Sequence, residues 1–296
     1  MANISAADVK SLREKTGAGM MECKNALVET DGDFAKAEKL LKEKGLAAVE
    51  KRADRATKEG KVIIKTRDNG AQGSAAALVE MVTETDFVAR NPEFIALGGT
   101  IAEQILDKGY GDADLSPEGK VYGEFNAMVT DLATKIRENM SLKRVKVIKA
   151  EAGEYISSYI HGDGAIGVIV KCKADKPEVL QKEEAKAFVF TLALHIAAFN
   201  PMALDRSKID PAHLKEQEEI FRKQMEQDEK LKGKPAQVID NILKGKVNKY
   251  LADICMLEQG YVKDEKFTVS QALADIGKQL GAAISVTDYV YLKVGV

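Results

Sequence analysis

The sequence predicts an α+β chain. An N-terminal three-helix bundle precedes a core of two repeated hairpin-plus-helix units, and the second unit carries a projecting helical-hairpin arm. Three observations carry this. Apolar residues recur at helical spacing from Ser5 to Gly45 and then, from Lys61, give way to the short runs and alternation of strands. The order of two strands and a long apolar helix occurs twice, beginning near Lys61 and again near Tyr155. Between Asp210 and Tyr250 the chain is very polar and keeps only a thin apolar stripe. The expected units are residues 1–55, 56–150 and 151–296, with the arm at about 205–245.

In the bundle, Ser5 can cap a first helix whose apolar face is Val9 and Leu12. Thr16-Gly17-Ala18-Gly19 is a tight turn, and Met20 to Glu29 a second helix. Phe34, Ala37, Leu40 and Leu41 line a third helix, for which Gly45 is expected as the stop. Of Met20 and Met21, one is expected in the core and the other on a soft contact surface. The charge- and alanine-rich run Ala47 to Gly60 reads as a solvated helical linker.

In the first core unit, Val62-Ile63-Ile64 and Ala75 to Val82 flank Asp68-Asn69-Gly70, a hairpin signal. Thr85 can cap a helix start, and Asp86 suits the positive end of a helix dipole. Asn91-Pro92 closes that turn and opens a helix to Lys108. Phe87 therefore sits on one helical turn between two boundaries, either as a core plug or as an outward finger. Gly98-Gly99 inside the following helix implies close packing. A further helix is expected over Val121 to Asn139, then a strand with Val145, Val147 and Ile148.

The second unit pairs Tyr155 to Ile160 with Ala165 to Cys172 around His161-Gly162-Asp163-Gly164. A long apolar helix ends at Asn200-Pro201. The stripe of Leu214, Phe221 and Met225 turns at Gly233-Lys234-Pro235 and returns through Ile239, Ile242 and Tyr250. Ser270 to Leu280 forms a helix stopped by Gly281. Ile284, Val286, Val290, Leu292 and Val294 alternate along a last strand.

Lys plus Arg (44) nearly balances Asp plus Glu (46), which gives no global field for nucleic acid or membrane. Cys23, Cys172 and Cys255 lack metal-ligand spacing and fit a reducing cytosol. No signal peptide or membrane span is evident. Every Gly-Lys pair is followed by Val, Pro or Gln, so no phosphate-cradling loop of the Walker type occurs. His161, His195 and His213 are far apart. His195, on an apolar helix face, reads as a hydrogen-bonded core residue, while His161 lies in a glycine turn, where exposed and contact roles are both open.

Thr85-Asp86-Phe87-Val88 after a strand, and the upstream run Leu12 to Leu27 (LREKTGAGMMECKNAL), together resemble the two hallmarks of the bacterial elongation factor Ts family. Glu138-Asn139-Met140 through Arg144-Val145 is similar too, whereas Val82 and Thr83 stand where the family usually has Asn followed by Cys or Ser. The resemblance implies a ubiquitin-associated-type bundle and guanine-nucleotide exchange on the GTPase elongation factor Tu, in the cytoplasm. It implies no covalent catalysis, cofactor, metal, membrane or stable nucleic-acid binding. Thr85, Asp86, Phe87 and Val88 would then be the finger that disturbs the Mg²⁺ and phosphate side of the partner's site. Leu12, Gly17, Gly19, Met20 and Met21 would contact the partner from the bundle, and His161 and Gly162 from the second unit. Family members often continue past the final strand into a short helical module. Only Gly295 and Val296 follow that strand here, so the grip is expected to rest on these three regions. The alternative is a ubiquitin-associated-type adaptor or ribosome-associated protein without exchange activity. Lacking a phosphate loop, the purified chain is expected to bind neither GDP nor GTP itself. Micromolar nucleotide binding in a calorimeter would contradict that expectation.

Overall fold

The computed structural model describes residues 4–68 and 73–296. Of the expected hairpin turn, Asn69 and Gly70 lie outside the described residues. Helices α1 (Ala6–Thr16), α2 (Met20–Glu29) and α3 (Phe34–Glu50) form the bundle around Val9, Leu12, Cys23, Ala26, Leu27 and Ala37. Ser5 and Asp8 cap α1 reciprocally, and Gly17 ends it in the left-handed region at φ 68°. Contrary to expectation, α3 does not stop at Gly45 but runs through it to Glu50. A Cβ at Gly45 would lie 3.2 Å from Thr134 Cβ, so the glycine permits close approach to another helix rather than a helix end.

Strands β1 (Glu59–Asp68), β2 (Ser74–Thr83) and β3 (Met140–Ala150) form one antiparallel sheet in that order. Between β2 and β3 come the single-turn helix α4 (Asp86–Ala89), α5 (Pro92–Lys108) and α6 (Lys120–Ile136). Helix α6 stops short of the expected Asn139 because Arg137 takes a left-handed conformation at φ 71°. The second unit repeats the plan. β4 (Glu154–His161) and β5 (Ile166–Ala174) form a hairpin, α7 (Glu183–Phe199) follows, and the sheet order is β4-β5-β8, where β8 is Ile284–Lys293. Inserted before β8 are the arm, α8 (Pro211–Gln227) with α9 (Ala236–Ile254), the small ribbon β6 (Gly260–Tyr261) and β7 (Asp264–Thr268), and α10 (Val269–Leu280). The arm's helices meet where His213 Nε2 lies 2.7 Å from the Tyr250 hydroxyl, and Arg206 pairs with Glu258 at its base at 2.6 Å.

The two sheets stack on each other, and helices cover their outer faces. Val62, Ala76, Leu78, Ile148, Ile169 and Leu292 fill the seam between sheets. Ala77, Val79 and Met81 face the other way, under α5 and α6, as Val168, Val170 and Cys172 do under α7. Gly98 meets this packing as its sequence implied, since a Cβ there would come within 2.6 Å of Ile63 Cδ1.

The last strand does not keep a single alternation. Pairing of β5 with β8 skips Thr287, because Lys171 opposes Asp288 and Cys172 opposes Val286. The extra residue exchanges faces: Ile284 and Val286 point to the helix layer, while Val290, Leu292 and Val294 point into the seam. In β3 the skip falls at Lys143, so that Met140 and Leu142 share a face with Val145 and Val147. The third strand of each unit thus carries the same device. Near the β3 skip, the fully buried Glu80 carboxylate pairs with Arg144 and accepts from Gly295 N at 3.1 Å, while Arg144 donates to Lys293 O at 2.7 Å.

The seam leaves no room at Gly167, where a Cβ would stand 2.3 Å from Val62 Cγ1. Gly167→Ala is expected to destabilise the fold by about 1–3 kcal/mol through overpacking. Urea unfolding checks this, and an unchanged midpoint would show that the sheets can separate freely.

Candidate functional site

Helix α4 is one turn long, so its shape depends on what holds it. Thr85 is the cap, and its hydroxyl accepts from Val88 N at 3.4 Å. The same hydroxyl donates to Glu138 Oε1 at 2.8 Å, while Thr85 N and the Thr83 hydroxyl each donate to Glu138 Oε2 at 3.1 Å. Val88 and Ala89 are buried against the sheet, and Asp86 pairs with Arg90 one turn on at 3.4 Å. This leaves Phe87 pointing outward, 84% exposed. A large aromatic in water on a turn anchored on both sides is a finger, not a plug.

The His161 turn lies close by. Gly162, Asp163 and Gly164 all have positive φ, a run suited to two glycines and an Asp. The turn is stapled to β1: Val62 N donates to Gly164 O at 2.8 Å, and Lys61 Nζ reaches Asp163 Oδ1 at 2.8 Å. The hydrogen bond from Lys61 holds the Asp163 carboxyl below its ordinary range, and the charge of Arg90, at the end of α4, adds to this. His161 is exposed, its Nδ1 3.0 Å from the Tyr159 hydroxyl, and Tyr159 packs edge-on against the exposed Phe190.

On the other side of α4, Glu93 at the start of α5 binds Lys135 at 2.6 Å, and the Lys135 stem packs beneath Gly17. Arg137 pairs with Glu22 of the bundle, whose carboxylate also accepts from Gly19 N at 2.9 Å. Gly17 and Gly19 thus shape the turn and dock it onto α6. Met20 and Met21, 44% and 65% exposed, both face solvent, so neither is core. The expectation that Leu12 faces a partner is corrected, since it is fully buried at the bundle's centre. Through these contacts the bundle turn, the finger and the His161 turn form one connected arrangement.

A family model for elongation factor Ts matches residues 84–296. Elongation factor Ts of Treponema denticola is 48% identical over 293 residues, 99% of each chain. Those of Treponema pallidum, at 44% over 299 residues and 99% of each chain, and Borreliella burgdorferi, at 38% over 296 residues and the whole of both, match as fully. The chain belongs to the elongation factor Ts family. Within this member of the elongation factor Ts family, Val82 and Thr83 end the strand that leads into the finger. Val82 is buried and apolar, whereas Thr83 supplies one of the hydroxyls bound to Glu138. Glu138 and Lys61 received no role from sequence reasoning. The resemblance around Glu138 was a signal for the first, but Lys61 has none that a single sequence displays.

Among the described residues no group of three or more His, Cys, Asp or Glu is placed to hold a metal, and no helix is long and apolar enough to cross a membrane. His195 is fully buried and stacked on Phe199, at 4.7 Å between ring centres. Gln259 donates its amide nitrogen to Asp253 O, so its Oε1 faces His195 Nε2 at 2.9 Å and assigns the proton to that nitrogen, while Nδ1 has no partner. Burial lowers the imidazole pKa from its ordinary 6.5, against the weaker opposing pull of Gln259. The unfolded chain then binds the proton more readily, so the stability from the neutral ring is complete above 6.5 and is lost as pH falls below it. Thermal midpoints measured from about pH 7.5 to 5 should fall more steeply for the wild type than for His195→Gln. Parallel curves would mean that His195 does not titrate on unfolding.

Proposed function

We propose that this chain is the guanine-nucleotide exchange factor of elongation factor Tu and acts by binding alone. The observation that carries the proposal is Phe87, held out in water on an anchored turn within the Thr85-Asp86-Phe87-Val88 motif. Asp86 and Phe87 enter the GTPase beside its nucleotide and disturb the Mg²⁺ and phosphate side of the site, while Thr85 and Val88 hold the finger's base. Met20 and Met21 on the bundle, with the Gly17 and Gly19 turn, grip the same GTPase domain, and His161 and Gly162 grip another. A GTPase orders its switch segments around nucleotide and metal. A factor that binds the emptied form better must weaken GDP by the factor by which GDP weakens it.

Burying one Phe contributes roughly 1.5–3 kcal/mol, at most about two powers of ten in rate. A ten-thousandfold acceleration would need about 5.5 kcal/mol, so the remainder must come from the bundle and the second unit. The test is release of fluorescent GDP from elongation factor Tu with and without the chain. Phe87→Ala is expected to slow stimulated release by roughly ten- to a hundredfold and to leave the melting midpoint unchanged, because the ring touches no core. A lowered midpoint with undiminished release would refute the finger role.

A further inference from the structure

We propose that Glu138 is a positioning residue for this finger, fixing the direction in which Phe87 points. The inference rests on the exchange function proposed above. The Glu138 carboxylate accepts from Thr83 Oγ1, Thr85 N and Thr85 Oγ1, at 3.1, 3.1 and 2.8 Å. No Lys or Arg forms an ion pair with it among the described residues, so hydrogen bonds alone satisfy it. Its own backbone is held on both sides. Arg137 pairs with Glu22, Asn139 N donates to Glu84 Oε1 at 2.6 Å, and Asn139 Nδ2 donates to Ala53 O and Arg55 O at 3.0 and 2.7 Å. Glu138 is therefore a post set between two fixed residues, and the finger's first turn hangs from it. Without it the Thr85 N–H and the Thr83 hydroxyl lose their acceptor, and the one-turn helix keeps its Thr85 cap and the seating of Val88 and Ala89 but loses its suspension from Glu138.

The geometry also predicts a grade among substitutions. A glutamine at this position can place its carbonyl where Oε2 accepts two bonds and its amide where the Thr85 hydroxyl can turn and accept. Alanine offers nothing. In stimulated GDP release, Glu138→Ala is expected to lower the maximal rate roughly tenfold, with less than about threefold change in the half-saturating concentration. Glu138→Gln should restore most of the rate. In a Phe87→Ala background, Glu138→Ala should cost much less than it does in the wild type, because the aromatic is gone and only Asp86 remains to position.

An unimpaired Glu138→Ala, an equal loss in the Phe87→Ala background, or a Gln variant no better than Ala would each overturn the inference. Should Glu138→Ala not fold, Thr83→Val removes one donor and leaves the carboxylate in place. It must then show a smaller loss of maximal rate without loss of affinity, and its absence counts against the clamp. A wild-type chain that fails to stimulate release overturns the exchange function itself, a result distinct from stimulation that Glu138→Ala leaves intact.

Discussion

A helix of one turn has no stability of its own, because the cost of nucleating it is not recovered over so few residues. This constraint shapes the part of the molecule proposed above to meet the partner. Helix α4 persists because Thr85 caps it, Val88 and Ala89 seat it on the sheet, and the α6–β3 loop suspends its first residues. Those supports need a rigid floor and a rigid wall. The floor is β1 and β2, which are backed by a second sheet across a seam too tight for a Cβ at Gly167. The wall is α6, whose far side receives the bundle through the glycine notch at Gly45.

The contact elements reach one another through charge and glycine rather than apolar burial. Lys61 is nearly buried beneath Asp163, Lys135 lies under Gly17, and Arg137 meets Glu22 at an exposed interface. Exposed pairs contribute little to stability, so the value of the Arg137–Glu22 pair is geometric: it sets the spacing between the bundle turn and the end of α6. The bundle and the two helix-covered sheet faces have clusters of their own, while the two units share the apolar seam between their sheets.

The sequence made the local features legible. Thr85 as cap, Asn91-Pro92 as boundary, Gly281 as stop and the polar arm all follow from rules that act over a few residues. The direction of Phe87 was not legible from its neighbours alone, because a single turn gives no period from which to read a buried face. Glu138 escaped a role because its partners lie 53 and 55 positions away. Gly45 was mistaken for a stop because a glycine at a helix end and one at a helix crossing look alike until the crossing helix is known. Leu12 as a contact residue, and one of Met20 and Met21 as core, were misjudged for a related reason: a motif that marks a contact region does not say which of its members hold the region together.

The skips at Lys143 and Thr287 bear on how relatives should be compared with this chain. A one-residue gap inside a strand ordinarily signals a misplaced alignment, because it would exchange inner and outer side chains. At these two positions the exchange is already built in. Closing a gap there would assign Tyr289 and Tyr291 to the seam and Leu292 to the helix layer, the reverse of their places. Length variation in the third strand of either unit should therefore be anchored on the skipped residue, and substitution patterns counted separately on its two sides.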